Sequence, residues 1–109
     1  MDGEIPLWLQ DTAALDQRRY LRQRVLWAAR LDTAEGSFNC IILDVSKAGA
    51  KLQLAAPIPV TARQKVELVI EPMGRLKAEV IWQIDERMGL RFISDPQDVA
   101  RVIGRALMI

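Results

Sequence analysis

The chain has 109 residues, 50% of them hydrophobic and 27% charged, with a net charge of +1, which describes one domain able to bury a single core. It holds no histidine and one cysteine, Cys40, which excludes histidine-based catalysis, a cysteine-rich zinc site and an internal disulfide. No apolar run reaches the roughly 18 residues of a membrane span, and Asp2 and Glu4 stand where a secretory leader would carry basic residues. The expectation is a cytoplasmic protein that is not an enzyme.

Residues 1–16 read as a lead-in segment. They carry a short apolar patch, Ile5, Leu7, Trp8 and Leu9, interrupted by Pro6, and are expected to be irregular or briefly helical. This stretch holds Asp2, Glu4, Asp11 and Asp16 with no base, whereas residues 17–30 hold Arg18, Arg19, Arg22, Arg24 and Arg30 with no acid. Eleven of the fifteen basic residues are arginine, the side chain suited to forked recognition of phosphate or carboxylate and to stacking on flat rings. A nearly neutral chain with one local arginine cluster points to a compact anion as ligand and away from long duplex DNA.

From residue 17 to 109 the chain reads as a single domain. Val25 to Leu31 and Phe38 to Leu43 are short β-type runs. Ala50, Leu52 and Leu54 alternate with Lys51 and Gln53; Val66, Leu68 and Ile70 alternate with Lys65, Glu67 and Glu71. Leu76, Ala78, Val80 and Trp82 follow the same period, and Leu90 and Phe92 flank Arg91. Period two is the mark of half-buried strands. Turn residues separate the runs at 34–36, at Pro57 and Pro59, at Pro72-Met73-Gly74 and at Asp85-Glu86-Arg87. After Ser94 or Asp95 as N-cap and Pro96 in the first turn, Val99, Val102, Ile103, Ala106 and Leu107 recur at helical spacing. The predicted fold is mainly β: a small six-stranded antiparallel barrel with a C-terminal α-helix packed at its side or mouth.

Two segments carry the candidate chemistry. Arg18-Arg19-Tyr20-Leu21-Arg22 stands just before the first strand. As a loop it could place two guanidinium groups on one ligand; as a helix turn it would be a solvated charged surface. Asp44-Val45-Ser46-Lys47-Ala48-Gly49 joins two strands. Asp44 could accept from the N–H groups of a guanine edge, Ser46 could donate or accept, and Gly49 could allow a positive φ and close approach of a ligand. Alternatively, Asp44 and Ser46 simply satisfy the backbone of a turn.

The two segments, in this order and closed by Ala78-Glu79-Val80-Ile81-Trp82 and Met88-Gly89-Leu90-Arg91-Phe92, resemble the PilZ domain, the bacterial receptor module for cyclic di-GMP. The resemblance runs from about Gln17 to the C-terminus. It implies a cyclic di-GMP receptor with Arg18, Arg19, Arg22, Asp44, Ser46 and Gly49 as ligand-binding residues. It implies no catalytic residue, no metal and no cofactor beyond that ligand. Gln17 stands where the family often has a further arginine that accompanies a stacked ligand dimer, so one or two ligands per chain remain open. Signalling would proceed by ordering of the arginine loop toward an unidentified downstream protein. The alternatives are a PilZ-fold interaction module that binds no nucleotide and, third, a single-strand nucleic-acid barrel, which the lone basic patch disfavours.

Other residues are assigned quieter roles. Trp27 and Trp82 fall in strand patterns and are expected in the barrel core, though both could stack on purines, as could Trp8. Cys40 is expected to be an inert buried thiol. Asp85 and Glu86 are read as a turn without a metal role. Lys47 and Lys51 are read either as long-range attraction for the ligand or as solvated surface.

Overall fold

The computed structural model of the chain describes residues 22–107; the lead-in 1–16, with Trp8, and the motif residues Arg18 and Arg19 lie outside them. The strands are β1 (Gln23–Thr33), β2 (Gly36–Val45), β3 (Gly49–Leu54), β4 (Lys65–Ile70), β5 (Gly74–Ile84) and β6 (Arg87–Phe92), followed by helix α1 (Pro96–Leu107). They close into a barrel in the order β1-β2-β3-β6-β5-β4, with neighbours antiparallel. This is the predicted fold class.

The inward positions of the period-two pattern fill the barrel. Each strand contributes a large side chain with no exposed surface: Leu31, Ile42, Leu52, Leu68, Leu76 and Met88. Full burial of such a side chain contributes roughly 1.5–3 kcal/mol. Helix α1 begins where the sequence places it: the Asp95 carboxylate accepts the Gln97 N–H at 2.8 Å, and Pro96 opens the first turn. Its Val99, Val102 and Ile103 join the core, so the helix packs its apolar face on the barrel. Gly74 starts β5 with φ +145°, and a Cβ there would lie 3.1 Å from the Val102 Cγ2. The β3–β4 connection is held by Ile58, whose N–H and C=O are both bonded by the Gln83 side-chain amide at 2.9 and 3.0 Å. Cys40 is buried, and burial pushes its thiol up to about 12, so it stays protonated and inert at neutral pH.

Near the β1–β2 hairpin, Asp32 accepts from Arg30 Nε at 2.8 Å and from the Ser37 hydroxyl at 2.7 Å. These bonds, that from Arg30 foremost, hold its carboxyl below the usual range. A carboxyl whose folded pKa is depressed stabilises the fold above the unfolded value, about 4, and that contribution is lost as pH falls through the folded value. Asp32→Asn is therefore expected to melt below wild type at neutral pH and to converge with it on acidification below about pH 4. Parallel melting curves with a constant gap down to pH 2.5 would count against this.

Candidate ligand site

The site is built by register. Arg24 pairs with Asp44, Asp44 with Lys51, Lys51 with Gly89, and Gly89 with Trp82, so five neighbouring strands bring one residue each to a single row. Strict alternation from the buried Ile42 and Val80 would turn Asp44 and Trp82 into the core. Bulges between Ile42 and Asp44 and between Val80 and Trp82 reset the phase, and Val45 returns to the interior. A third register shift lies in β1 between Arg24 and Trp27. Bulges characteristically re-aim side chains in this way.

Trp82 is thus not a core residue, contrary to the reading of its strand pattern: it is 37% exposed. Its indole lies against Gly89, where a Cβ would come within 2.2 Å of the indole Nε1 and 2.5 Å of Cε2. Gly89, a glycine inside a strand pattern, was the sequence signal for this close approach. Trp27 does pack, half-buried, against the core.

Asp44 is the centre of the row. Its side chain is only 15% exposed; Arg22 Nε lies 3.3 Å from Oδ1 and Lys51 Nζ 3.8 Å from Oδ2. The Arg22 contact is an ion pair without hydrogen-bond alignment, so Oδ1 is buried with no hydrogen-bond donor among the described residues. Two clefts share Arg22, Asp44 and Lys51 as a common wall. The larger, about 720 Å³, adds Arg24, Val25, Leu26, Leu43 and Arg87. The smaller, about 340 Å³, adds Ala50, Ile81, Trp82, Gly89 and Leu90. The larger is lined by four cations and one carboxylate, which is an anion-attracting surface with apolar walls.

The remaining motif residues sit elsewhere. Ser46 is 1% exposed; its hydroxyl oxygen accepts the Ala48 and Gly49 N–H groups at 3.1 and 3.3 Å, and its own N–H bonds the Gly49 carbonyl at 2.9 Å. Gly49 does not have the positive φ expected of it; among the described residues the positive-φ glycines are Gly36 and Gly74. A Cβ at Gly49 would lie 2.0 Å from the Leu90 carbonyl oxygen on β6, so the close approach it allows is that of a neighbouring strand. Asp85 and Glu86 form the β5–β6 turn, Asp85 with φ 54°. Among the described residues, no group of three or more potential ligands is placed to hold a metal ion. No helix there is long and apolar enough to cross a membrane.

The profile of the PilZ domain family matches residues 16–108. The chain belongs to the PilZ family. Its barrel is similar to solved PilZ structures, at identities that bear on the fold alone. One is the PilZ domain of CeSA from a cellulose-synthesizing bacterium, with TM-score 0.62, 19% identity, and 76% of this chain and 91% of that one covered. Another is the PilZ domain of YcgR from Escherichia coli, solved with c-di-GMP, with TM-score 0.63, 19% identity, and coverage of 84% and 89%. A third is the Bacillus subtilis inhibitor of motility MotI/DgrA, with TM-score 0.60, 18% identity, and coverage of 85% and 52%. A comparison with the curated proteins finds no match. In this PilZ barrel, Arg22 of the first motif and Asp44 of the second stand together at the clefts, whereas Ser46 and Gly49 build the turn behind Asp44.

Proposed function

We propose that this PilZ domain is a non-enzymatic cytoplasmic receptor for cyclic di-GMP, with Arg18, Arg19, Arg22, Asp44, Ser46 and Gly49 as its site. The observation that carries the reading is Asp44 Oδ1: a buried carboxylate oxygen with no hydrogen-bond donor among the described residues, at the wall shared by two cation-lined clefts. A buried acceptor left unsatisfied calls for a partner, and a guanine supplies one, because its ring and exocyclic N–H groups both donate. The two ligand phosphates suit Arg22 and, from the residues just before it, Arg18 and Arg19. Ser46 and Gly49 act by fixing the turn that aims Asp44, and Trp82 offers a flat face to a base in the smaller cleft. The YcgR domain solved with c-di-GMP supports the choice of ligand.

Signalling follows from ordering of the arginine loop on the ligand, since a ligand shifts a conformation only by its differential affinity for it. The test is calorimetry of the full chain with cyclic di-GMP. Heat of binding is expected, and the affinity it yields should fall by roughly 1.5–3 kcal/mol of binding free energy in Arg22→Ala, with the melting temperature retained. Folded protein that gives no heat at high micromolar ligand would end the receptor reading in favour of an interaction module.

A further inference from the structure

The larger cleft holds features that the two motifs leave unexplained. Leu26, in the register shift of β1, is 78% exposed, and with Val25 and Leu43 it makes an apolar wall beside Asp44. The same cleft is lined by Arg87, the first residue of β6, which pairs in register with Gln53 of β3. Arg87 Nε donates to Gln53 Oε1 at 2.5 Å, and the same amide's Nε2 donates to the Leu54 carbonyl at 3.2 Å. The guanidinium is therefore held through its Nε edge, and Arg87 forms no ion pair with a carboxylate among the described residues. What remains is its terminal NH1/NH2 fork, in a cleft that it lines together with the apolar Val25, Leu26 and Leu43.

We propose that the larger cleft is a purine subsite, in which a guanine of the ligand covers Leu26 and Leu43 while the Arg87 fork reads its edge. This rests on the receptor reading above and adds to it a specificity residue outside both motifs. An apolar shelf suits the plane of a base and is poor surroundings for a phosphate. Guanine presents two adjacent acceptors, O6 and N7, to an end-on fork; adenine replaces O6 by an amino donor, which an arginine meets donor to donor. Gln53 is a positioning residue that acts through Arg87.

The test is calorimetry of the full chain with cyclic di-GMP and with its adenine counterpart at one salt concentration. Arg87→Gln, which keeps most of the stem, is expected to lose about tenfold in affinity for cyclic di-GMP and much less for the adenine ligand. Gln53→Ala, which frees the Arg87 Nε edge and leaves the fork itself in place, is expected to move the same ratio by only about threefold, near the low end of a hydrogen bond's net worth. Arg91→Gln is the control: Arg91 is exposed, ion-paired with Glu79 and outside both clefts, so its loss should leave the ratio unchanged. An Arg87→Gln variant with wild-type affinity would overturn the subsite. So would equal losses on both ligands, which would make Arg87 a source of general attraction. Wild-type protein that binds neither ligand ends the receptor reading and the subsite together; wild-type binding with an unmoved ratio in Arg87→Gln ends the subsite alone.

Discussion

Asp44→Ala is expected to cost roughly 1.5–3 kcal/mol of cyclic di-GMP affinity while changing the stability of the unliganded barrel by no more than about half a kcal/mol. The two halves of this expectation have different causes. Among the described residues Asp44 pairs with Arg22 and Lys51, whose side chains are 50% and 39% exposed, and such pairs contribute little. Removing it strands neither cation, because both reach water. In the bound state of the receptor reading, guanine N–H groups packed against the wall of the cleft would lose their acceptor. Adenine lacks the N1–H and N2 donors, so the preference for the guanine ligand should narrow as well. Calorimetry with both cyclic dinucleotides, beside a melting curve, measures both. A variant with an unaltered ligand ratio would show that Asp44 does not read the base.

Gly49→Ala is expected to show the opposite pattern. The new Cβ would sit 2.0 Å from the Leu90 carbonyl oxygen and 3.1 Å from its carbon, on a backbone that is itself bonded into the ring. With no flexible side chain to swing aside, the β3–β6 pairing must part, at a cost of about 3 kcal/mol or more. For a domain of this size that lowers the melting temperature by roughly 12 °C or more. The fraction still folded should bind cyclic di-GMP more nearly like wild type than Asp44→Ala does. A variant that melts with wild type but loses its ligand would move Gly49 from the architecture of the barrel to the binding surface.

The two predictions show what was legible in the chain. Period-two alternation located the six strands, because inward positions such as Leu52 and Leu68 must be apolar whatever the partner strand. Asp95 and Pro96 located the helix start by local chemistry alone. What alternation could not show was its own interruption. An extra residue in a strand leaves no mark in composition, so Val80 to Trp82 read as a continued inward series when the chain in fact turns Trp82 outward. The same device moves Asp44 to the surface, which is why the second motif could be read either as a turn or as a ligand contact. Arg87 and Leu26 were invisible for another reason. Arg87 stands far from both motifs in sequence, and Leu26, though just past Arg22, lies in a register shift that the strand pattern does not show; the strand order β1-β2-β3-β6 brings the two to the same cleft.

The closed strand order has one more consequence, for how any signal leaves the molecule. Among the described residues the ring leaves one stretch of open edge, β1 ahead of Arg30, which has no β4 partner; elsewhere paired strands leave no place for another chain to extend the sheet. Sliding one strand past its neighbour would break hydrogen bonds around the circumference and invert the inside and outside of that strand. Under the receptor reading the barrel would therefore act as an anvil: a nucleotide pressed onto its outer wall would not be reported through the wall. Under that reading the message would travel along the surface, from the side chains around Arg22, where a downstream protein could meet ligand and receptor as one composite face.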